Sequence, residues 1–294
     1  MPGNPSPLAR PLADVLDKSL DMVEVISNRE AGLYGVPTGF ADLDELLNGL
    51  WPGHLTVIGG RPGAGASTLA LDFVRSAAVH NNLATLYFRP DTTAEEVSLR
   101  LLSAESKVPH NHIRNGLMSD SSWNSLAETM GSISNSPILI ADDPYLNVEK
   151  IGTAIENASE HDLKLVVVDE LQTLVQTRTR ENRYQEVRED VHALKRLARQ
   201  HNVALVVVSK LNRTPMTRQG PILARPMLHD LRDAGGIEDV ADEVILIHRE
   251  DQYEPESIRP GEADLIVAKH RHGAERQLVV AFQGHYCRFV DMSK

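Results

Sequence analysis

Length, composition and charge set the first limits on this chain. It has 294 residues, 41% of them hydrophobic, and a formal net charge of −11 at pH 7. That size suits one large domain, or one domain with an appendage. The acidic balance argues against a general nucleic-acid binder. Its one cysteine, Cys287, excludes an internal disulfide framework and is typical of a reducing compartment. We predict a soluble cytoplasmic protein, since the apolar runs are too short to span a bilayer and no signal peptide opens the chain.

The charge is unevenly distributed along the chain. Residues 171–229 carry eleven Lys or Arg against four Asp or Glu, a local charge of +7, so the remainder carries −18. An acidic protein with one basic sector, here residues 171–229, is typical of a protein that contacts nucleic acid on one surface only. A solvated basic helix face explains the same pattern, and at this point both interpretations stay open.

The N-terminal region is predicted to be separate from the main domain. Three prolines among the first ten residues predict a flexible tail over residues 1–11. Leu12, Leu16, Leu20 and Val23 recur at helical spacing and predict an amphipathic helix within residues 12–31. Glycines and a proline then mark a linker that ends near Gly39. The apolar stripe of the helix must be buried, either on its own domain or on a neighbouring subunit.

Apolar strands alternate with amphipathic helices through residues 32–294. The predicted strands cover residues 55–58, 84–88, 138–141, 165–168, 203–208, 244–248, 263–268 and 278–282. The predicted helices cover residues 67–78, 93–103, 148–161 and 183–201. This alternation predicts an α/β fold, with a mainly parallel twisted sheet and helices on both of its faces.

A glycine-rich turn follows the first predicted strand. It reads GRPGAGAST and fits the phosphate-loop pattern G-x-x-x-x-G-K-[ST], except that Ala66 stands where the lysine is expected. A strand, a turn and a helix in succession place backbone N–H groups at a helix N-terminus, which favours anions. A structural turn with chance glycines is the alternative. We predict nucleotide binding by the whole turn: Gly60, Arg61, Pro62, Gly63, Ala64, Gly65, Ala66, Ser67 and Thr68.

A second motif supports a phosphate site. Residues 165–168 form a short apolar strand that is followed by Asp169. This is the Walker-B arrangement, in which the carboxylate holds the hydration shell of Mg²⁺ opposite the hydroxyl of the loop, here Ser67. The glycine spacing does not match G-x-G-x-x-G, so a Rossmann dinucleotide site is disfavoured.

Four stretches together resemble one family. They are residues 32–68, residues 206–213 (VVVSKLNR), residues 229–249 (HDLRDAGGIEDVADEVILIHR) and residues 268–273 (AKHRHG). In this order they resemble the C-terminal RecA-like motor domain of the bacterial replicative DnaB-type helicases, which belong to superfamily 4. The resemblance runs from about residue 12 to the C-terminus.

The resemblance implies a ring, usually a hexamer, that encircles single-stranded DNA and binds ATP with Mg²⁺ between its subunits. Residues 12–31 are similar to the linker helix that docks on the next subunit. Lys269 and Arg271 match the family's trans-acting basic pair, which reaches a neighbour's γ-phosphate. A full-length helicase or a loader is a further candidate partner, and no membrane is expected.

The resemblance also implies two DNA-binding loops inside the basic sector. A motor that tracks any sequence should contact phosphates and leave the bases unread. The loop after residue 176 and the loop after residue 211 supply the predicted contacts: Arg178, Arg180, Arg183, Arg213, Arg218 and Arg225.

The sequence departs from the family pattern in four places. Ala66 replaces the loop lysine, and loss of one such charge-stabilising group typically costs ~10²–10³ in rate. Asp91 stands at the position of the catalytic glutamate and is one methylene shorter, which affects water positioning. Lys210 stands where the family has a glutamine that senses the γ-phosphate. The chain begins at the linker helix, so we expect the collar domain associated with primase docking to be absent.

These departures leave two functions open. In the first, Lys210 supplies the charge that Ala66 lost and Glu170 serves as a replacement water-orienting carboxylate, so the chain is a slow ATP-dependent helicase or translocase. In the second, both residues drifted after catalysis was lost, and the chain is an inactive ring or DNA-binding accessory protein. A recombinase or phosphotransferase on the same fold is a third, weaker alternative.

Overall fold

A nine-stranded sheet forms the centre of the molecule. The computed structural model describes residues 9–27, 33–175, 183–212, 225–231, 235–254 and 256–292. The strands follow the order β3-β2-β4-β5-β1-β6-β7-β8-β9 across the sheet. Their bounds are β1 Leu55–Gly60, β2 Thr85–Phe88, β3 Ile138–Ala141, β4 Leu165–Val168, β5 Ala204–Lys210, β6 Glu243–His248, β7 Glu262–His270, β8 Arg276–Gln283 and β9 Arg288–Asp291.

Helices connect the strands. Within the described residues they are α1 Ala13–Ser27, α2 Ala41–Leu47, α3 Ala66–Val74, α4 Ala94–Ser106, α5 His110–Asn115, α6 Asp120–Ser134, α7 Val148–Asn157, α8 Arg183–His201 and α9 Gly235–Val240. The single helix predicted over residues 67–78 is in fact α3 continued by a π-helical segment, Arg75–His80. None of the helices in the described part of the chain is long and apolar enough to cross a membrane.

The predicted mainly parallel sheet is confirmed for its first six strands. β1 lies between β5 and β6, and β2 lies between β3 and β4, with every one of these pairs parallel. The last three strands differ, because β7, β8 and β9 pair antiparallel to one another and to β6. Short connections join β7 to β8 and β8 to β9, as antiparallel neighbours need no helical crossover.

Two hydrophobic layers cover the two faces of the sheet. Ile58 of β1 belongs to the cluster that includes Phe73 of α3. Its neighbour Val57 points to the other face and belongs to the cluster that includes Leu194 of α8. Successive side chains of a strand alternate between faces, so apolar runs such as β1 indicate burial on both sides. Helices on both faces were predicted and are confirmed.

The apolar stripe of α1 stays exposed in the single chain. Leu12 is 71% exposed and Leu20 is 65% exposed, with Leu16 and Val23 about half exposed. A stripe at this spacing is stable in water only when another surface covers it. Its side chains are therefore not buried on the domain that follows.

Candidate nucleotide-binding site

The glycine-rich loop lies where the parallel strands end. Gly60 closes β1 and is in register with Lys210 at the end of β5. Phe88 at the end of β2 is in register with Val168, which directly precedes Asp169. In open α/β sheets, ligands bind in the crevice at this carboxyl edge. The fold thus brings the predicted loop, the predicted metal-side carboxylate and Lys210 to one edge.

The conformation of the loop depends on its glycines. Gly65 immediately precedes α3 and has φ of 105°, a left-handed value that favours glycine. A Cβ atom on Gly65 would also lie 2.6 Å from the ring of Phe289, so no side chain fits there. Arg249 Nη1 donates a hydrogen bond to the carbonyl of Gly63 at 3.2 Å. The guanidinium of Arg249 lies 4.0 Å from the ring centre of Phe282, so the antiparallel strands support the loop.

A cavity of about 500 Å³ opens over this loop. Its volume lies within the range of small-molecule sites. Eight of the nine predicted residues line it, and Ala64 is buried behind them. The predicted residues at the wall are Gly60, Arg61, Pro62, Gly63, Gly65, Ala66, Ser67, Thr68, Glu170 and Lys210.

The opposite wall of the cavity carries basic residues that the sequence did not single out. Arg100 of α4 lies there with His110 and Arg114 of α5. Burial, and then the positive charges of Arg100 and Arg114, lower the pKa of His110. The two arginines make this wall cationic without the histidine. Their helices are separated from the loop in sequence, so no local motif marks them.

The predicted metal-side pair is brought together. Ser67 Oγ donates a hydrogen bond to Asp169 Oδ1 at 2.9 Å. Asp169 is fully buried, and its second oxygen accepts a hydrogen bond from the Tyr87 hydroxyl at 2.7 Å. Arg89 forms a salt bridge with that same oxygen. Neither Tyr87 nor Arg89 was singled out from the sequence.

The other predicted carboxylates are each paired with a cation. Lys210 Nζ lies 2.5 Å from Glu170 Oε1, and both residues line the cavity. Asp91 does not line it, and its Oδ1 accepts a hydrogen bond from Arg89 Nε at 3.0 Å. In both pairs the negative charge of the carboxylate is neutralised by its neighbour. The catalytic roles of Glu170 and Asp91 stay predictions.

The basic pair lies at the end of the sheet where β1 and β6 begin, and the loop lies at the end where β1 finishes. Arg271 follows β7 and is 57% exposed, and its Nη1 donates to Asp242 Oδ1 at 2.8 Å. Lys269 is in register with Val244 near the start of β6, and its Nζ donates to the carbonyl of Glu238 at 2.5 Å. The loop lies at the far end of β1, a separation of roughly 17 Å at ~3.3 Å per residue. Arg271 cannot reach a nucleotide held by the loop of its own chain.

Most of the predicted DNA-binding arginines fall outside the described residues. Arg178, Arg180, Arg213 and Arg218 do so entirely, and for Arg183 only its place at the start of α8 is described. Arg225 is described, and its Nη1 donates to Gln277 Oε1 at 2.9 Å. The DNA-binding assignments stay predictions.

The parallel sheet, the P-loop at its carboxyl edge and the acidic strand end define a P-loop protein with a RecA-like fold. The sequence model of the family described as "DnaB-like helicase C terminal domain" matches residues 35–291. The chain belongs to this family.

Individual relatives agree with this membership. The replicative DNA helicase DnaB of Leifsonia xyli subsp. xyli is 43% identical over 284 residues, covering 96% of this chain and 62% of that protein. A solved ATPase domain has a TM-score of 0.88 at 27% identity, covering 95% of this chain and 99% of that one. A DnaB-like replicative helicase, solved with its interactions with primase, has a TM-score of 0.86 at 26% identity, covering 99% and 69%. The chain spans about three fifths of the length of the curated DnaB protein of Leifsonia xyli.

Proposed function

We propose that this chain is the motor part of a DnaB-like helicase or translocase, which binds ATP between subunits of a ring around single-stranded DNA and hydrolyses it slowly. One observation carries the proposal. The cavity over the loop and the exposed cation of Arg271 lie at opposite edges of the same sheet. A ring of identical chains would place one edge against the other, so each nucleotide would be shared by two subunits.

The loop cavity is the proposed ATP site. Backbone N–H groups at the start of α3 and the cations Arg61, Lys210 and Arg100 around the cavity support binding of a triphosphate. Ala66 removes the cation that usually reaches the β- and γ-phosphates, so we expect binding to be weak. The proposed role of Ser67 and Asp169 in holding Mg²⁺ stays a prediction, since Asp169 is already bound to Arg89.

Phosphate release measured with and without single-stranded DNA tests the proposed function. We expect slow release that rises at least severalfold on addition of DNA, because the basic sector would contact the strand in the ring. The DNA-binding arginines proposed here are Arg178, Arg180, Arg183, Arg213, Arg218 and Arg225. Release that stays at the level of a protein-free blank, with and without DNA, would contradict a motor.

A second function is favoured by the absence of the loop lysine. With Ala66 in that position, an assembled ring that binds single-stranded DNA but does not turn over ATP would be an accessory protein of the same family. The two functions differ in one result. Ring assembly and DNA binding without DNA-stimulated phosphate release select the accessory protein, whereas release selects the motor.

We expect the exposed apolar stripe of α1 to form an interface between subunits of the ring. We expect the double variant Leu16→Glu and Leu20→Glu to reduce the assembly to smaller species, because two charges would be placed on an apolar interface. Light scattering coupled to size-exclusion chromatography measures the mass. Asp17→Ala together with Asp21→Ala, on the polar side of the same helix, serves as the control. Retention of the full assembly by the glutamate variant would show that α1 is not an interface.

We expect Lys210 to supply part of the positive charge that the missing loop lysine would provide. Its ammonium group lines the cavity and pairs with Glu170. We expect Lys210→Ala to weaken ATP binding about tenfold through loss of a charge that contacts the phosphates. Lys164→Ala provides a control, since Lys164 pairs with Asp162 on the surface. Binding by Lys210→Ala that equals the unmodified chain would refute the compensation, and the measurement is an equilibrium ATP titration.

A further inference from the structure

Arg89 joins the two carboxylates that the sequence assigned to metal and water. It follows β2, and its side chain is 11% exposed. One nitrogen of the guanidinium contacts Asp169 Oδ2, and Nε donates to Asp91 Oδ1 at 3.0 Å. Thr92 Oγ1 also accepts from Nε at 3.2 Å. A single, mostly buried cation therefore bridges two carboxylates at the carboxyl edge of the sheet.

Asp169 is poorly suited to a second cation. Its Oδ1 accepts from Ser67, and its Oδ2 accepts from Tyr87 and faces Arg89. The carboxylate is fully buried, so water does not screen charges placed beside it. A hydrated Mg²⁺ here would lie next to the guanidinium, and the two positive charges would repel. The residues present do not fit the metal that the family implies.

The charge of Arg89 is maintained in this environment. Burial is the largest single influence and lowers its pKa, but Asp169, Tyr87 and Asp91 together raise the pKa of Arg89 overall. Burial and then the charge of Asp169 also raise the pKa of the Tyr87 hydroxyl. Tyr87 thus stays a neutral donor to Asp169.

We propose that Arg89 takes the place of the divalent cation, so that this cavity binds the polyphosphate chain of a nucleotide without Mg²⁺. The inference builds on the proposed function, because it concerns the same cavity. Arginine suits the role, since its planar fork stays charged and binds oxyanions in fixed geometry. Lys210 and Arg61 at the cavity wall supply the positive charge that faces the phosphates. Arg89 acts from behind the wall, through Asp169 and its hydrogen bond from Ser67.

A titration with Mn²⁺ alone, followed by electron paramagnetic resonance, tests the ion pair without any nucleotide. Removing the guanidinium would leave Asp169 and Asp91 facing one space, a donor set that divalent cations prefer. We expect Arg89→Gln to bind one Mn²⁺ at least tenfold more tightly than the unmodified chain, and Arg89→Lys to resemble the unmodified chain. Adding Asp169→Asn to Arg89→Gln should abolish the gain. Equal Mn²⁺ binding by the unmodified chain and Arg89→Gln would overturn the proposal.

A second measurement uses the unmodified chain and so does not depend on a variant that folds. ATP affinity is measured with excess Mg²⁺ and with EDTA, and we expect the two values to agree within threefold. An affinity that rises tenfold or more with Mg²⁺ would overturn the proposal. If ATP binds under neither condition, the proposed nucleotide site fails, and the Mn²⁺ titration still decides whether Arg89 excludes a metal.

Discussion

Replacing Ala66 with lysine is expected to tighten ATP binding at least tenfold and to raise hydrolysis by ~10²-fold. Ala66 lines the cavity at the start of α3, so a longer side chain extends toward the phosphates. The lysine would supply the preorganised charge that the loop pattern normally contains. Equilibrium titration and steady-state phosphate release measure the two effects.

Ala66→Met is the matched control, because methionine is nearly as long as lysine but carries no charge. It also reports the steric effect of a longer side chain at this position of the cavity wall. An affinity gain shared by the methionine variant would indicate packing instead of charge. A lysine variant that binds no better than methionine would contradict the phosphate assignment of the loop.

Removing Arg271 is expected to lower hydrolysis by ~10³-fold while the fold is retained. The effect is best measured in the Ala66→Lys background, where turnover is higher. Asp242 keeps the backbone N–H of Leu55 at 2.8 Å and the ammonium of Lys195 as partners, so truncation of Arg271 does not leave it unpaired. Arg276→Ala, an exposed arginine of β8, is the matched control.

Mixing subunits tests whether Arg271 acts on a neighbour. A chain with Ala66→Lys and Arg271→Ala has the restored loop lysine but lacks Arg271, and the unmodified chain has Arg271 but lacks the loop lysine. Each preparation alone should be slow. A mixed ring should be faster than either. At some subunit interfaces, one subunit supplies the restored loop lysine and its neighbour supplies Arg271. Unchanged rates on mixing would contradict a nucleotide shared between subunits.

Much of the fold was predictable because its signals are local. The apolar run Leu165–Val168 and the amphipathic helix Arg183–His201 have the predicted bounds. Helices α5 and α6 were missed, since α5 has six residues and fully buries none of them, and α6 buries only Leu126. Helices without a broad buried face carry little periodic pattern for a sequence to show.

The site was predictable in part for the same reason. The loop is a contiguous motif, and its contact with Asp169 follows from the parallel order of the strands. The pairing of Arg89 with Asp169 joins residues 80 positions apart, and no spacing rule indicates it. The cationic wall of Arg100 and Arg114 depends on how α4 and α5 pack over the loop. Side-chain pairing across distant elements therefore required the structure.

The proposed motor requires a loop that binds nucleotide without its usual lysine. Calorimetric titration of ATP into the purified chain, compared with Ala66→Asp, tests this claim most directly. We predict saturable binding of one ATP per chain, and its loss in Ala66→Asp, because a carboxylate at that position would repel the phosphates. No binding by the unmodified chain, or equal binding by the aspartate variant, would show that this loop is not a nucleotide site.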